Sequence, residues 1–174
     1  MLRLAVMSLS YQRAFASGQM DLFSYIALSR SLQLDGVDLH GRHFASLERD
    51  YLWRIKQACV ERGLSIACLS IPNNFALDAA ALPDEMDKTR RLIDAAAFLG
   101  APLVRVFAGW NERQDDDTWR RVVSSLRTTA AYGEDRGVVV ALQNHNHHGI
   151  AARGSAVLKL IGDVDHPNLK HVMD

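Results

Sequence analysis

Net charge is missing from this chain, whose 174 residues set 20 Lys and Arg against 20 Asp and Glu. With no surplus of either sign there is no overall field to draw in nucleic acid, an anionic membrane surface or a polyanionic substrate. A small neutral ligand fits better. Long apolar runs are missing too, since none approaches the ~20 residues of a membrane span. The N-terminus has no basic region followed by an apolar stretch and a small-residue cleavage site, so a cytoplasmic protein is expected. The only cysteines, Cys59 and Cys68, lack CxxC spacing and read as small buried apolar residues rather than a disulfide or metal pair. No GxGxxG follows the first apolar run and no phosphate loop ends a later one, which counts against a nucleotide-binding open sheet.

What is present is an alternation. At 48% hydrophobic residues the chain can bury a sizeable core. Short β-branched or apolar runs recur: "LAVMSLS" (4–10), "GVDLH" (36–40), "LSIACLS" (64–70), "LVRVF" (103–107), "VVVALQ" (138–143) and "LKHVMD" (169–174). Each reads as a buried strand. Helical periodicity lies between them, as at Trp119, Val122, Val123, Leu126 and Ala130. Gly63, Gly100 and Gly137 each end a helical turn before the next strand. Pro83 with Asp84 and Glu85, the acidic run Asp115 to Asp117, and Ser155 after Gly154 mark helix starts.

Strict alternation predicts an α/β fold with a parallel sheet, either doubly wound or a (β/α) barrel. Polar residues at nearly every strand end favour the barrel, whose ligands come from several strand ends at one mouth. An eight-stranded barrel takes about 250 residues, so six strands make an incomplete TIM-type barrel, as a single unit over residues 1–174. Two open strand edges would then need cover, and a homo-oligomer is one way to supply it.

The ordered set "GVDLHGRHF", "LSIPNNF", "LVRVFAGW", "VVVALQNHNHHG" and "HVMD" resembles the xylose isomerase-like barrel superfamily, in its sugar phosphate isomerase/epimerase branch. The similarity spans essentially the whole chain. It implies a divalent metal (Mn, Mg or Zn) at the C-terminal mouth, held by a Glu ending strand five, an Asp ending strand six, and a His and a Glu from strands seven and eight. The two glutamates would move a proton next to a ketose carbonyl. Carried over by position, the strand-five ligand falls on Gln143 and the strand-six ligand on Asp174. Strands seven and eight have no counterpart in these residues. Gln143 is a departure, because an amide oxygen can ligate a hard cation but cannot accept a proton near neutral pH.

Other candidates follow from their places in the runs. Asp38 and His40 share one face of a period-two strand, so His40 is expected to hydrogen-bond a substrate hydroxyl or shuttle a proton, and Asp38 to partner Arg105. Arg105, inside a strand, reads as a structural tie or a substrate clamp. His145 lies two residues past Gln143 and takes a second catalytic role if extended geometry continues. Arg42, His43, Asn73, Asn74, Trp110 and His147 are expected to bind substrate, each against a simpler reading as a loop, turn or core residue. The expected function is a sugar isomerase or epimerase acting next to a carbonyl on a small-molecule sugar. A keto-sugar lyase or dehydratase and a non-catalytic sugar-binding relic remain alternatives. A zinc-dependent branch cleaving DNA at abasic sites conflicts with zero net charge and no Lys/Arg stripe.

Overall fold

The computed structural model describes residues 3–111, 115–145 and 149–174. Strand and helix alternate: β1 (Ala5–Met7), α1 (Gln12–Ala16), α2 (Leu22–Ser31), β2 (Gly36–His40), α3 (Arg49–Glu61), β3 (Ser65–Ser70), α4 (Leu82–Leu99), β4 (Leu103–Val106), α5 (Asp116–Asp135), β5 (Val139–Gln143), α6 (Gly154–Val164) and β6 (Leu169–Val172). Short 3₁₀ turns cover Ser8–Tyr11 and Gly41–His43.

Local chemistry sets these boundaries. The Asp115 carboxylate accepts from the Thr118 backbone N–H at 2.8 Å, and Asp116 and Asp117 fill the first turn of α5. The acidic run is therefore a helix start, where anions meet free N–H groups and the positive end of the helix dipole. Asp21 and Ser24 cap α2 reciprocally. Helix α4 stops at Gly100, whose φ of 83° is left-handed backbone that a side chain would strain. The first strand is shorter than its apolar run, because the chain turns at Ser8. That residue is fully buried, and its hydroxyl accepts from the backbone N–H of His40 at 2.9 Å.

All six strands pair in parallel, each with the next along the chain, in the order β1-β2-β3-β4-β5-β6. A doubly wound sheet reverses its direction of growth from an internal strand, and this one never does. The architecture is a (β/α) barrel, present to six strands. Among the described residues, strands β1 and β6 each have one strand partner and leave an edge open. No helix among the described residues is long and apolar enough to cross a membrane.

Alternation along the strands then sorts the side chains. Val37, Leu39, Val104, Val106, Val140 and Leu142 are wholly buried in the hydrophobic core. Burying each such side chain stabilises the fold by about 1.5–3 kcal/mol. The opposite parity puts Asp38, Ser70, Arg105, Ala141 and Gln143 on the other side of the sheet, the barrel interior. In register, Asp38 sits beside Met7, Ser70 beside His40, Arg105 beside both Ser70 and Ala141, and Gln143 beside Val172. The β2/β3 register shifts between Val37 and Asp38, so Ala67 is passed over and Asp38 faces Cys68.

Candidate active site

Gln143 is the last residue of β5 and is 8% exposed. Its amide donates to the Asp174 carboxylate at 2.5 Å. Asp174 lies two residues past β6 and is itself exposed, so it does not end a buried strand as its place in "LKHVMD" suggests. Asn144 holds it instead, donating to the Asp174 carbonyl at 2.6 Å and accepting from the Asp174 N–H at 2.9 Å. Nothing local in the chain marks Asn144 for this role, since its partners lie 30 residues away.

Strand β5 ends at Gln143, so period-two alternation does not carry on to His145. The His145 ring meets Phe107 edge-on at 5.0 Å and Trp110 at 5.1 Å, while Phe107 and Trp110 lie 4.9 Å apart. A three-ring box thus joins the loops after β4 and β5. The Ile150 N–H donates to the Gly109 carbonyl, and Trp110 bridges to Gly149, which fastens the two loops together.

Asn73 and Asn74 build the adjoining wall. Asn73 is 1% exposed, and its amide both donates to the Phe107 carbonyl at 2.7 Å and accepts from the Phe107 N–H at 2.8 Å. Asn74 accepts from the N–H groups of Ala76 and Trp110 at 3.0 Å and donates to the Trp110 carbonyl at 3.2 Å. Both amides are committed to backbone, where they shape the rim beneath Trp110. Gly109 fits there for want of a side chain: a Cβ would lie 2.1 Å from Asn74 Oδ1 and 2.8 Å from the Ala76 nitrogen, at a φ of +118°.

The histidines of β2 form a second group. The His40 ring is 3% exposed, and its Nδ1 accepts from the Arg42 N–H at 3.4 Å. Burial, reinforced by Arg105, His43 and Arg42, pushes its pKa down to about 3, so the ring is neutral with its proton on Nε2. His43 is tied at both nitrogens, to the Ser8 hydroxyl at 2.9 Å and to Gln12 Oε1 at 3.0 Å, and its ring stacks on Phe15 at 3.7 Å. Because Gln12 Oε1 can only accept, the His43 Nε2–H donates to it, and Nδ1 of the neutral ring accepts from the Ser8 hydroxyl. Arg42 is exposed and turned from this group, lining a 350 Å³ cleft with Phe44, Pro72, Glu85 and Leu92. His147 lies outside the described residues.

Asp38 accepts from the Ser70 hydroxyl at 2.8 Å. Burial raises its pKa to about 6, against the opposing pull of Ser70 and Arg105. Burial also lifts the Cys68 thiol to about 12 and Cys59 to about 11, which leaves both unreactive at neutral pH. Among the described residues no three His, Cys, Asp or Glu side chains converge to hold a metal. Gln143 and Asp174 offer one neutral and one anionic oxygen, too few by themselves for Mg²⁺, Mn²⁺ or Zn²⁺.

Several solved proteins share this architecture. A probable 3-DHS dehydratase involved in petrobactin synthesis from Bacillus anthracis superposes with a TM-score of 0.82 at 20% identity, covering 99% of this chain and 63% of that one. A D-psicose 3-epimerase solved in the presence of D-fructose gives 0.81 at 15% identity, with coverage of 99% and 63%. A xylose isomerase-like TIM barrel protein from Mycobacterium smegmatis in complex with magnesium gives 0.72 at 17% identity, with coverage of 86% and 54%. This chain spans less than two thirds of the length of each. No curated protein matches it. Residues 26–174 match the family described as xylose isomerase-like TIM barrel, and the chain belongs to that family.

Proposed function

We propose that this chain carries the greater part of the mouth of a sugar isomerase or epimerase, which moves a proton at the carbon next to a sugar carbonyl. The observation that carries this reading is the joining of Gln143 and Asp174 across the ends of β5 and β6, with the ring box of Phe107, Trp110 and His145 built on the same β5 loop. The box offers apolar faces for the C–H side of a sugar ring. His145 is its one side chain able to exchange a proton, and it serves as the base. His40, neutral and protonated on Nε2, donates a hydrogen bond to a substrate oxygen rather than abstracting a proton. One structural relative is a D-psicose 3-epimerase, which supports the substrate class.

A divalent cation in the full-length protein, of the kind the Mycobacterium smegmatis relative carries, would polarise the carbonyl. Gln143 Oε1 and Asp174 would be its ligands among the described residues.

Gln143 favours a second reading. An epimerase that works on both faces of a carbon needs two groups able to exchange a proton, and an amide is not one of them. A keto-sugar lyase or dehydratase needs a single base at that carbon, and the Bacillus anthracis relative is a probable dehydratase. The full-length protein incubated in D2O with a panel of ketoses and keto-sugar acids tests both. Deuterium entering the carbon next to the carbonyl, lost in His145→Gln, supports proton transfer; recovered sugar of inverted configuration marks an epimerase, and loss of water marks a dehydratase. If no sugar in the panel gains deuterium, the enzymatic reading fails and a sugar-binding role takes its place.

A further inference from the structure

Arg105 is 3% exposed on β4, flanked by Ser70 of β3 and Ala141 of β5. A guanidinium has five N–H donors. Among the described residues, Nη1 donates to the Ile71 carbonyl at 3.2 Å, Nη2 reaches only the Met7 sulfur at 3.9 Å, and Nε–H has no partner. Among the described residues no carboxylate forms an ion pair with it, although Asp38 and Asp174 attract it from further off. A tie between strands would fill this fork with carbonyls or a carboxylate. Instead a buried cation keeps most of its donors unspent, which is costly unless an anion arrives.

Its surroundings locate that anion. The Arg105 Cζ lies 4.1 Å over the Phe107 ring, and Phe107 meets His145 and Trp110 edge-on. The cation therefore lies against the ring box that holds the sugar in the reading above. We propose that Arg105 is the counter-charge for a carboxylate on the substrate, so that the sugar taken at this mouth is a keto-sugar acid rather than a neutral ketose. The inference rests on that reading of the mouth as a sugar site. A planar monoanion matches a guanidinium fork with two parallel hydrogen bonds. The doubly charged phosphate of a sugar ester would meet stronger repulsion from Asp38 and Asp174.

Three probes of similar size separate the possibilities: 2-keto-D-gluconate, D-fructose and D-fructose 6-phosphate, titrated calorimetrically into the full-length protein. The expected result is 2-keto-D-gluconate binding at least tenfold more tightly than D-fructose. In Arg105→Gln the two should bind within twofold of each other, through loss of 2-keto-D-gluconate affinity. Equal binding of the two by the parent protein, or a preference that survives Arg105→Gln, overturns the proposal. Tightest binding of D-fructose 6-phosphate, lost in the variant, makes the anion a phosphoryl group and overturns the carboxylate assignment. If Arg105→Gln does not fold, the Arg105 Nε–H resonance of the parent decides: a saturable shift with 2-keto-D-gluconate supports the contact, and its absence overturns it. Deuterium exchange on sugars without any Arg105-dependent preference sinks this inference alone. Arg105-dependent binding without exchange sinks the enzymatic reading alone.

Discussion

The amide of Gln143 donates to the carboxylate of Asp174 at 2.5 Å, joining the ends of β5 and β6 through a neutral donor and an anion. A second carboxylate at position 143 would repel its neighbour and hold one of the pair protonated.

Gln143→Glu should therefore fold as well as the parent at pH 4, where a shared proton bridges the two groups. By pH 8 it should lose about 1–3 kcal/mol as that proton leaves. Urea midpoints at the two pH values measure this. In the full-length protein Mn²⁺ should bind more tightly to the variant and restore its stability. Metal affinity unchanged at pH 8 would show that position 143 does not face the site.

His40 should make the fold sensitive to acid. Its folded pKa, pushed down to about 3, lies below the ordinary value of 6.5. The stabilisation from its neutral ring is complete above pH 6.5 and drains away as pH falls towards 3, by up to about 1.4 kcal/mol per pH unit. His40→Asn should flatten the stability profile between pH 6.5 and 4. A variant profile as steep as the parent's would assign the acid sensitivity to other groups.

Asp38 works in the opposite direction, because its folded pKa is raised to about 6 from 3.8. Its contribution is most favourable below pH 3.8 and is lost as pH rises through 6. Asp38→Asn keeps an acceptor for the Ser70 hydroxyl and removes the buried charge. At pH 8 the variant should be more stable than the parent by up to about 3 kcal/mol, with the two converging near pH 3.5. Denaturation curves that stay parallel across this range would contradict the assignment.

The rim should be rigid at Gly109. Gly109→Ala drives a methyl into Asn74 Oδ1 and the Phe75 and Ala76 nitrogens, and should cost more than about 3 kcal/mol. Asn74→Ala leaves the Ala76 and Trp110 N–H groups without their acceptor and should cost about 2 kcal/mol. Trp110 fluorescence should report both changes. A native spectrum and an unchanged melting temperature in both variants would show that the Asn74 bridge contributes nothing.

The sequence by itself determined the alternation of strand and helix, the acidic start of α5, the stop at Gly100 and the shared face of Asp38 and His40. Each depends on a period of 2 or 3.6 or on groups within one turn, and such local rules are written into neighbouring residues. The nearness of Gln143 to Asp174 was also legible, through the resemblance of the motifs that end β5 and β6. Tertiary structure decided what each side chain is spent on. Asn73 and Asn74 read as sugar binders until the loop after β4 came back across 34 to 36 residues and took up their amides. His43 read as a loop ligand until Ser8, Gln12 and Phe15 closed on it from the segment that leaves the C-terminal end of β1. Arg105 read as a tie between strands ahead of a substrate clamp, and only the three-dimensional count of its partners among the described residues showed its fork unfilled. These outcomes hang on strand register and on the bulge at Ala67, which set partners some 30 residues apart. A hydrogen bond turns on a few tenths of an ångström, and hydrophobic periodicity fixes which face a residue occupies but not which atom it will meet.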